Sequence, residues 1–233
     1  MQENKVQILC TRPVAEELVE EAGKNNINVD VISFIETEPI DSIEVQQEIE
    51  QAYLLSAAVV FTSMNAVEAV AAQADEQEPA WNIYCMGHAT KQLVIEYFGE
   101  ERIVGTGDSA TDLAELIIEE GVDDEVIFFC GDQRRDELPD LLRSNSIDVN
   151  EIVVYHTVPV PQKVAKSYHG ILLFSPSAVD SFFKLNKVAG QTIFFAIGNT
   201  TANTIKKYTN NKIIISKKPE KEQMMIEVIN YFS

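Results

Sequence analysis

The sequence predicts an α/β protein built from two similar halves. Short apolar runs alternate with longer amphipathic stretches along the whole chain, which is the pattern of alternating strands and helices. Segments of the first half recur in the same order in the second half. Proline-containing joints lie at equivalent positions of this repeat, at Pro39 and Pro159. Together these observations predict two similar domains, each a parallel sheet flanked by helices.

The candidate strands are short runs rich in Val, Ile and Phe. They are residues 6–10, 29–34, 57–62, 82–87, 126–131, 152–157, 170–175, 192–198 and 212–216. Most of these runs are apolar at successive positions, which suits parallel strands covered by helices on both faces. The acidic amphipathic stretches between them are candidate helices, with their charges on solvated faces. The clearest are residues 16–23, 41–51 and 111–120.

The internal repeat is visible in three places. The matching pairs are residues 27–40 with 147–160, residues 59–70 with 171–183, and the segment around Gly87 with that around Gly198. Three matches in one order indicate duplicated units. We therefore expect a ligand to bind where equivalent loops face each other.

The proline joints favour an interleaved division of the chain. The first domain would comprise residues 1–37 and 160–233, the second residues 41–155, with linkers at about 37–41 and 155–161. A tandem division, cut near residues 121–124, is the alternative and has the simpler topology. It offers a single boundary, whereas the interleaved division has two matched proline joints.

Composition excludes several classes of protein. The chain has 18 Lys and Arg residues against 37 Asp and Glu, a net charge of −19, which disfavours nucleic acid and anionic membranes as partners. It has neither a basic and apolar leader nor an apolar run approaching roughly 18 residues, so we expect a cytoplasmic protein. The three cysteines, Cys10, Cys85 and Cys130, are widely scattered, which indicates buried thiols rather than a disulfide framework or a zinc site.

Polar turns follow several of the strands and precede helices. They contain Thr62, Ser63 and Asn65, then Gly87 and Thr90, then Ser175 and Ser177, and finally Gly198, Thr200 and Thr201. Such residues cap helices, and capping alone would explain any one of these turns. Several helix starts together, each with unpaired N–H groups, would also suit a ligand with many carboxylates. Neither GxGxxG nor GxxxxGK[ST] occurs, so a nucleotide-dependent enzyme is disfavoured.

Histidine and tyrosine residues are the other candidate catalytic groups. His88, His156 and His169 show no spacing typical of a Ser-His-Asp triad or a metal site, so we assign them structural or surface roles. Tyr155 ends a candidate strand at the second joint, where its phenol could serve as a proton donor at neutral pH. Packing in the core is the alternative for Tyr155.

The order and spacing of these motifs resemble the uroporphyrinogen-III synthase family. The matching segments are residues 11–13, 61–67, 87–90, 135–138, 153–157, 174–179 and 198–202, so the resemblance covers essentially the whole chain. The resemblance implies two α/β domains joined by a two-stranded linker, with the active site in the cleft between them and both chain ends in the first domain. This agrees with the interleaved division.

The resemblance also implies a reaction. Members of the family take the linear tetrapyrrole hydroxymethylbilane, expel its terminal hydroxyl as water, invert the last pyrrole ring through a spiro intermediate and close the ring to uroporphyrinogen III. No cofactor or metal takes part. By matching position, Tyr155 would assist departure of the hydroxyl. The substrate's carboxylates would be bound by Thr62, Ser63, Asn65, Gly87, Thr90, Ser175, Ser177, Gly198, Thr200 and Thr201, together with Arg12 and Arg135.

The chain departs from the family pattern at Asn199, Ser146 and Arg134, where proline, glycine and glycine are common. Arg12 and Arg135 could pair with a ligand or with surface acids. We expect a monomer that binds neither nucleic acid nor membrane, with the upstream bilane-forming enzyme as a candidate partner. The alternative function is a non-catalytic, two-lobed binding or sensor protein for a small polycarboxylate.

Overall fold

A computed structural model describes residues 5–73, 78–122, 125–218 and 220–233. The strands are β1 (Val6–Cys10), β2 (Ile27–Val31), β3 (Ile35–Pro39), β4 (Ala58–Phe61), β5 (Asn82–Met86), β6 (Ile103–Gly107), β7 (Val126–Gly131), β8 (Val149–Pro159), β9 (Gly170–Leu173), β10 (Ile193–Ala196) and β11 (Ile213–Ile215). The helices are α1 (Glu16–Lys24), α2 (Ile43–Tyr53), α3 (Met64–Ala71), α4 (Ala89–Phe98), α5 (Ala110–Glu119), α6 (Glu137–Ser144), α7 (Pro176–Leu185), α8 (Asn199–Ile205) and α9 (Lys221–Phe232). A short 3-10 helix spans Glu100–Arg102.

The chain forms two compact units. Unit 1 combines the chain up to Glu36 with Val158–Ser233, and unit 2 is Thr37–Thr157. The sheets are five-stranded, in the order β11-β10-β9-β1-β2, and six-stranded, in the order β3-β8-β7-β4-β5-β6. Neighbours from β8 to β6, and all neighbours in the five-stranded sheet, pair in parallel.

Side chains of the unit 2 sheet are buried on both faces. Along β4, Val59 and Phe61 join one buried cluster, whereas Val60 joins another with the apolar residues of α5 and α6. Along β7, Phe128 and Phe129 divide in the same way. Because side chains alternate between the faces of a strand, a run that is apolar throughout must be covered on both sides. The predicted α/β class, with parallel sheets flanked by helices, is confirmed.

Two of the described strands, β3 and β6, were not among the candidate strands. The edge strand β6 is short of apolar residues and contains Gly105 and Gly107, which lower the tendency to form a strand. A Cβ atom on Gly105 would lie 2.5 Å from a methyl carbon of Leu116, and one on Gly107 would lie 2.8 Å from the backbone nitrogen of Leu113. The two glycines therefore allow α5 to pack closely on this strand.

The repeat at residues 27–40 and 147–160 takes two forms. The second copy contains the single 11-residue strand β8. The first copy is broken into β2 and β3, and Ser33 Oγ between them donates a hydrogen bond of 2.6 Å to the Ile35 carbonyl. Such short-range side-chain bonds compete with continuous strand pairing, which explains the break.

Several smaller predictions can be compared with the fold. Cys10, Cys85 and Cys130 are buried free thiols, as predicted, and burial raises the pKa of each to about 11. His169 has a structural role, because its Nδ1 accepts a 2.9 Å hydrogen bond from the Gln7 N–H. Ser146 adopts a φ of 63°, a conformation that favours glycine. Within the described ranges, no helix combines the length and the apolar character that a membrane span requires.

Candidate functional site

The carboxyl edge of the unit 2 sheet brings together residues that are distant in sequence. Strands β8, β7 and β4 are neighbours and run parallel, so Tyr155, Gly131 and Ser63 lie at or just beyond the same edge. In open α/β sheets this edge is where ligands bind.

Tyr155 and Ser63 are in direct contact. The Tyr155 hydroxyl donates a hydrogen bond to Ser63 Oγ at 3.1 Å. Ser63 is the N-cap of α3, and its Oγ also accepts a 3.2 Å hydrogen bond from the Ala66 N–H. The phenol is thus connected, through one serine, to the positive end of a helix dipole.

Gly131 lies between these two residues in the sheet. A Cβ atom built on Gly131 would be 2.4 Å from Cζ of the Tyr155 ring. Because neighbouring strands lie about 4.8 Å apart, the Tyr155 side chain must pass over β7 to reach Ser63 on the far side. The absence of a side chain at Gly131 leaves room for the ring.

The pairing of β7 with β8 is irregular at Tyr155. Cys130 pairs with Val153, but Gly131 pairs with Tyr155, so Val154 is an extra residue on β8. Bulges of this kind change the direction of side chains and occur often next to active sites.

Asp132 contacts the backbone at the end of this bulge and just after it. Its N–H donates to the Tyr155 carbonyl at 3.1 Å, and its Oδ1 accepts a hydrogen bond of 2.9 Å from the Thr157 N–H. Its other carboxylate oxygen lies 3.4 Å from Nδ1 of His156. Asp132 therefore fixes the strand around Tyr155.

A pocket of about 360 Å³ adjoins Tyr155 within unit 2. It is lined by Thr37, Pro39, Asn65, Glu68, Ala69, Ala72, Tyr97 and Tyr155. Asn65, Glu68, Ala69 and Ala72 recur at the spacing of one helix face, so the pocket runs alongside α3. Its volume lies near the lower end of the range of about 300–1,000 Å³ for small-molecule sites.

The remaining predicted residues of unit 2 differ in accessibility. Thr62 is half-buried, and Thr90 is only 7% exposed. The Gly87 N–H already donates to the Gly107 carbonyl at 2.9 Å, extending the pairing of β5 with β6. The N-cap of α4 is His88, with a φ of 61° and no side-chain hydrogen bond to the helix start. The N–H groups that remain for a ligand at this corner belong to the first turn of α4.

Unit 1 contains the equivalent serine corner. Ser175 caps α7 by accepting a 3.2 Å hydrogen bond from the Ala178 N–H, and its hydroxyl lies 3.1 Å from that of Ser177. At the start of α8, Gly198 is extended and an added Cβ atom would meet nothing within 4 Å. Thr200 is exposed, but Thr201 is only 1% exposed.

The four predicted corners are therefore of two kinds. Ser63 and Ser175 cap their helices through their side chains, whereas the corners at Gly87 and Gly198 have no side-chain cap. All four corners join the end of a strand to the start of a helix. Thr90 and Thr201 are buried, which limits the access of a ligand to these two residues.

The predicted arginines, Arg12 and Arg135, differ from Arg134 in their contacts. Arg12 and Arg135 are exposed, and neither guanidinium contacts a carboxylate of a described residue. Arg134, in contrast, pairs with both Asp136 and Glu151. These ion pairs hold the Arg134 guanidinium, whereas the guanidinium of Arg135 remains available to a ligand.

Sequence reasoning missed Gly131, Asp132 and Tyr97. The signal for Gly131 was a glycine that closes an otherwise apolar strand, which often marks a close approach. Asp132 and Tyr97 gave no signal, because their roles depend on which elements are neighbours. Among the described residues, no three or more His, Cys, Asp or Glu side chains form a group that could hold a metal ion.

Comparison with known proteins gives a consistent result. The family model described as uroporphyrinogen-III synthase HemD matches residues 16–226. A uroporphyrinogen-III synthetase structure from Helicobacter pylori has a TM-score of 0.66 and 15% identity, with 97% of this chain and 99% of that chain covered. A mutant uroporphyrinogen III synthase from the extremely thermophilic bacterium Thermus thermophilus has a TM-score of 0.60 and 12% identity, with 97% and 98% covered. At these identities, the two structures show a shared fold.

Proposed function

The chain belongs to the uroporphyrinogen-III synthase family, so its reaction is the closure of hydroxymethylbilane to uroporphyrinogen III with loss of water, and we propose that Tyr155 is the proton donor for that loss. The observation that carries this proposal is the contact of the Tyr155 hydroxyl with Ser63 at the start of α3. Because both groups are hydroxyls, Ser63 can also donate to Tyr155, which leaves the phenol proton free for the substrate.

In the proposed reaction, Tyr155 first gives up its proton and later recovers it. The C–O bond of the terminal hydroxymethyl group breaks, and Tyr155 supplies the proton with which the oxygen leaves as water. The electron-poor carbon that remains forms a C–C bond to the last pyrrole ring at the α-carbon that already carries a bridging carbon, which gives the spiro intermediate. The old bond to that bridging carbon then breaks, and the bridging carbon bonds to the free α-carbon of the same ring, which inverts the ring. The proton that this ring releases restores the phenol. During the step, the Ser63 hydroxyl and the α3 dipole stabilise the negative charge that develops on the Tyr155 oxygen.

The pocket beside Tyr155 supports the placement of one pyrrole ring. Its volume of about 360 Å³ is too small for four rings, and Tyr97 and Pro39 provide apolar walls. Asn65 provides a polar group in the first turn of α3. We assign this pocket to the ring that carries the departing hydroxyl.

The substrate's carboxylates need donors elsewhere, and we assign this role to the predicted residues of both units, of which Arg12, Arg135 and Thr200 are exposed. In unit 2 they are Thr62, Ser63, Asn65, Arg135 and the backbone near Gly87 and Thr90. In unit 1 they are Arg12, Ser175, Ser177, Thr200 and the backbone of Gly198 and Thr201. Hydrogen bonds to a charged group contribute about 1.5–3 kcal/mol each, so several can outweigh the repulsion between an acidic protein and an acidic ligand.

The interleaved domain division is part of the proposal. The two contact-defined units support a first domain of residues 1–37 and 160–233 and a second of residues 41–155. We also propose that the chain acts as a monomer in the cytoplasm and receives its substrate from the enzyme that makes the bilane.

An isomer-resolved assay tests the function. Hydroxymethylbilane, generated enzymatically, closes spontaneously to the type I isomer, so formation of the type III isomer reports catalysis. Excess type III product supports the synthase. Binding of the bilane with no change in isomer composition would instead support the binding or sensor protein.

A further inference from the structure

The bulge in β8 determines where Tyr155 points, and we propose that Asp132 is the positioning residue that holds this bulge. The inference rests on the proposed role of Tyr155 as proton donor. It assigns Asp132 no contact with substrate and a function that acts only through Tyr155.

Side-chain alternation shows what the bulge does. Ile152 and Val154 face the buried cluster that contains Phe61, and Val153 between them faces the opposite cluster. In a regular strand the next residue, Tyr155, would follow Val153 to the opposite face. Tyr155 instead packs on the same face as Val154. The bulge therefore decides whether the phenol can reach Ser63.

Three hydrogen bonds outside the regular strand pairing hold the backbone in the bulge and just after it. The Val154 carbonyl accepts from the Ile40 N–H at 2.9 Å, and the Tyr155 carbonyl accepts from the Asp132 N–H at 3.1 Å. The third runs from the Thr157 N–H to the Asp132 carboxylate at 2.9 Å. Of these three, only the third uses a side chain, so only this bond can be removed by substitution. Asp132 thus holds the two successive peptide groups that follow Tyr155.

The consequence for the reaction follows from distance. Displacing a catalytic group by about 1 Å can cost up to about 100-fold in rate. The Tyr155 hydroxyl already lies 3.1 Å from its partner, so a small relaxation of residues 155–157 breaks the contact. Loss of the Asp132 carboxylate should therefore lower kcat more than it changes KM.

The test is a double-mutant cycle on the full chain. We expect Asp132→Ala to lower kcat about tenfold. Asp132→Asn keeps an oxygen that can accept from Thr157, so kcat should stay within about twofold of that of the unmodified chain. In a Tyr155→Phe background, Asp132→Ala should change kcat less than about twofold, because the hydroxyl that it positions is gone. His156→Ala is the control for the neighbouring imidazole and should leave kcat within about twofold.

Each outcome of this cycle is decisive. A loss that appears only when Tyr155 is present supports the positioning role. Equal losses in both backgrounds, or no loss in either, would overturn it. If Tyr155→Phe alone has no effect, the proposed role of Tyr155 fails first, and the two failures are thereby distinguished.

A second measurement does not depend on activity. In protein labelled with 13C at the tyrosine Cζ atoms, the Tyr155 resonance is identified by its loss in Tyr155→Phe. We expect this resonance to shift in Asp132→Ala and to stay in place in Asp132→Asn. An unchanged Tyr155 resonance in Asp132→Ala would contradict the proposal even if that variant folds poorly enough to lose activity.

Discussion

At the scale of single residues, the proposed reaction depends on one phenol and the serine that it contacts. Tyr155 lies half-buried beside the pocket, with its hydroxyl 3.1 Å from Ser63 Oγ. Ser63 combines two tasks, since its Oγ also caps α3. These tasks can be separated experimentally, because other serines of the chain cap helices without contacting a tyrosine.

Removal of the phenol hydroxyl should slow the reaction without abolishing it. General acids contribute about 100-fold or more, but the bound bilane closes readily once its hydroxyl has left. We expect Tyr155→Phe to lower kcat by about 100-fold or somewhat less, with a clear residual rate of type III formation. The kcat of purified protein in the isomer-resolved assay measures this effect. A wild-type rate would exclude the acid role.

Ser63→Ala and Ser109→Ala form a matched pair. Ser109 caps α5 by accepting a 3.1 Å hydrogen bond from the Asp112 N–H, much as Ser63 caps α3. Each substitution should lower the free energy of unfolding by about 1 kcal/mol. Only Ser63→Ala should also lower kcat several-fold. Urea unfolding measures the free energy of unfolding of both variants, and steady-state kinetics measures their kcat. Equal kcat values would contradict a role for Ser63 in catalysis.

At the scale of elements, the order of strands creates the site. Strand β7 lies between β8 and β4, so a residue on β8 reaches the start of α3 only by crossing β7. Gly131 makes that crossing possible.

In unit 1, a polar side chain of strand β2 forms contacts to other segments. Asp30 accepts hydrogen bonds of 2.8 Å from both Lys166 and Tyr168.

Gly131→Ala should destabilise unit 2. The added methyl group would lie 2.4 Å from the Tyr155 ring, and overpacking of this kind costs about 1–3 kcal/mol. In a Tyr155→Ala background the ring is absent, so the same substitution should cost much less. Urea midpoints of the four proteins measure the coupling. An equal cost in both backgrounds would show that the ring does not pass over Gly131.

Asp30 should make stability depend on pH in the acid range. The hydrogen bond from Lys166, assisted by that from Tyr168, lowers the pKa of Asp30 below its usual 3.8. Because the folded pKa is the lower one, this contribution to stability is present above pH 3.8 and is lost as the pH falls through the folded pKa. Asp30→Asn should therefore be less stable than the unmodified chain near neutral pH, with a gap that closes in acid. A gap that stays constant in urea midpoints down to about pH 3 would contradict this.

The sequence patterns predicted the strands and helices better than the contacts between them. Buried strands such as β4 and β7 were visible as apolar runs, because covering both faces requires apolar residues at every position. Tyr155 could be proposed from its place at the end of a strand and from family resemblance. The bulge at Val154, the crossing over Gly131 and the role of Asp132 could not, because each depends on which strand lies beside β8. The burial of Thr201 could not be predicted either, because its neighbours in the sequence are polar.

At the scale of the whole molecule, charge poses the main question. The chain carries a net charge of −19, and the substrate of its family is a polycarboxylate. Long-range forces between them are repulsive, so affinity must come from short-range contacts such as those of helix starts and exposed arginines. Such a protein recognises its substrate through short-range contacts rather than through electrostatic steering from a distance.

The dependence of kcat/KM on salt tests this view. The Debye length falls from about 30 Å at 0.01 M to about 8 Å at 0.15 M ionic strength, so added salt screens the repulsion. We expect kcat/KM for hydroxymethylbilane to rise or stay level over this range. A steep fall would instead reveal steering by a positive patch.

The ratio of type III to type I product as a function of protein concentration tests the synthase function directly. Freshly generated hydroxymethylbilane would be supplied at a constant rate, and both isomers would be quantified by chromatography. We expect the type III share to rise with the amount of chain added until it dominates. Type I product alone at every concentration, from protein shown to be folded, would contradict it.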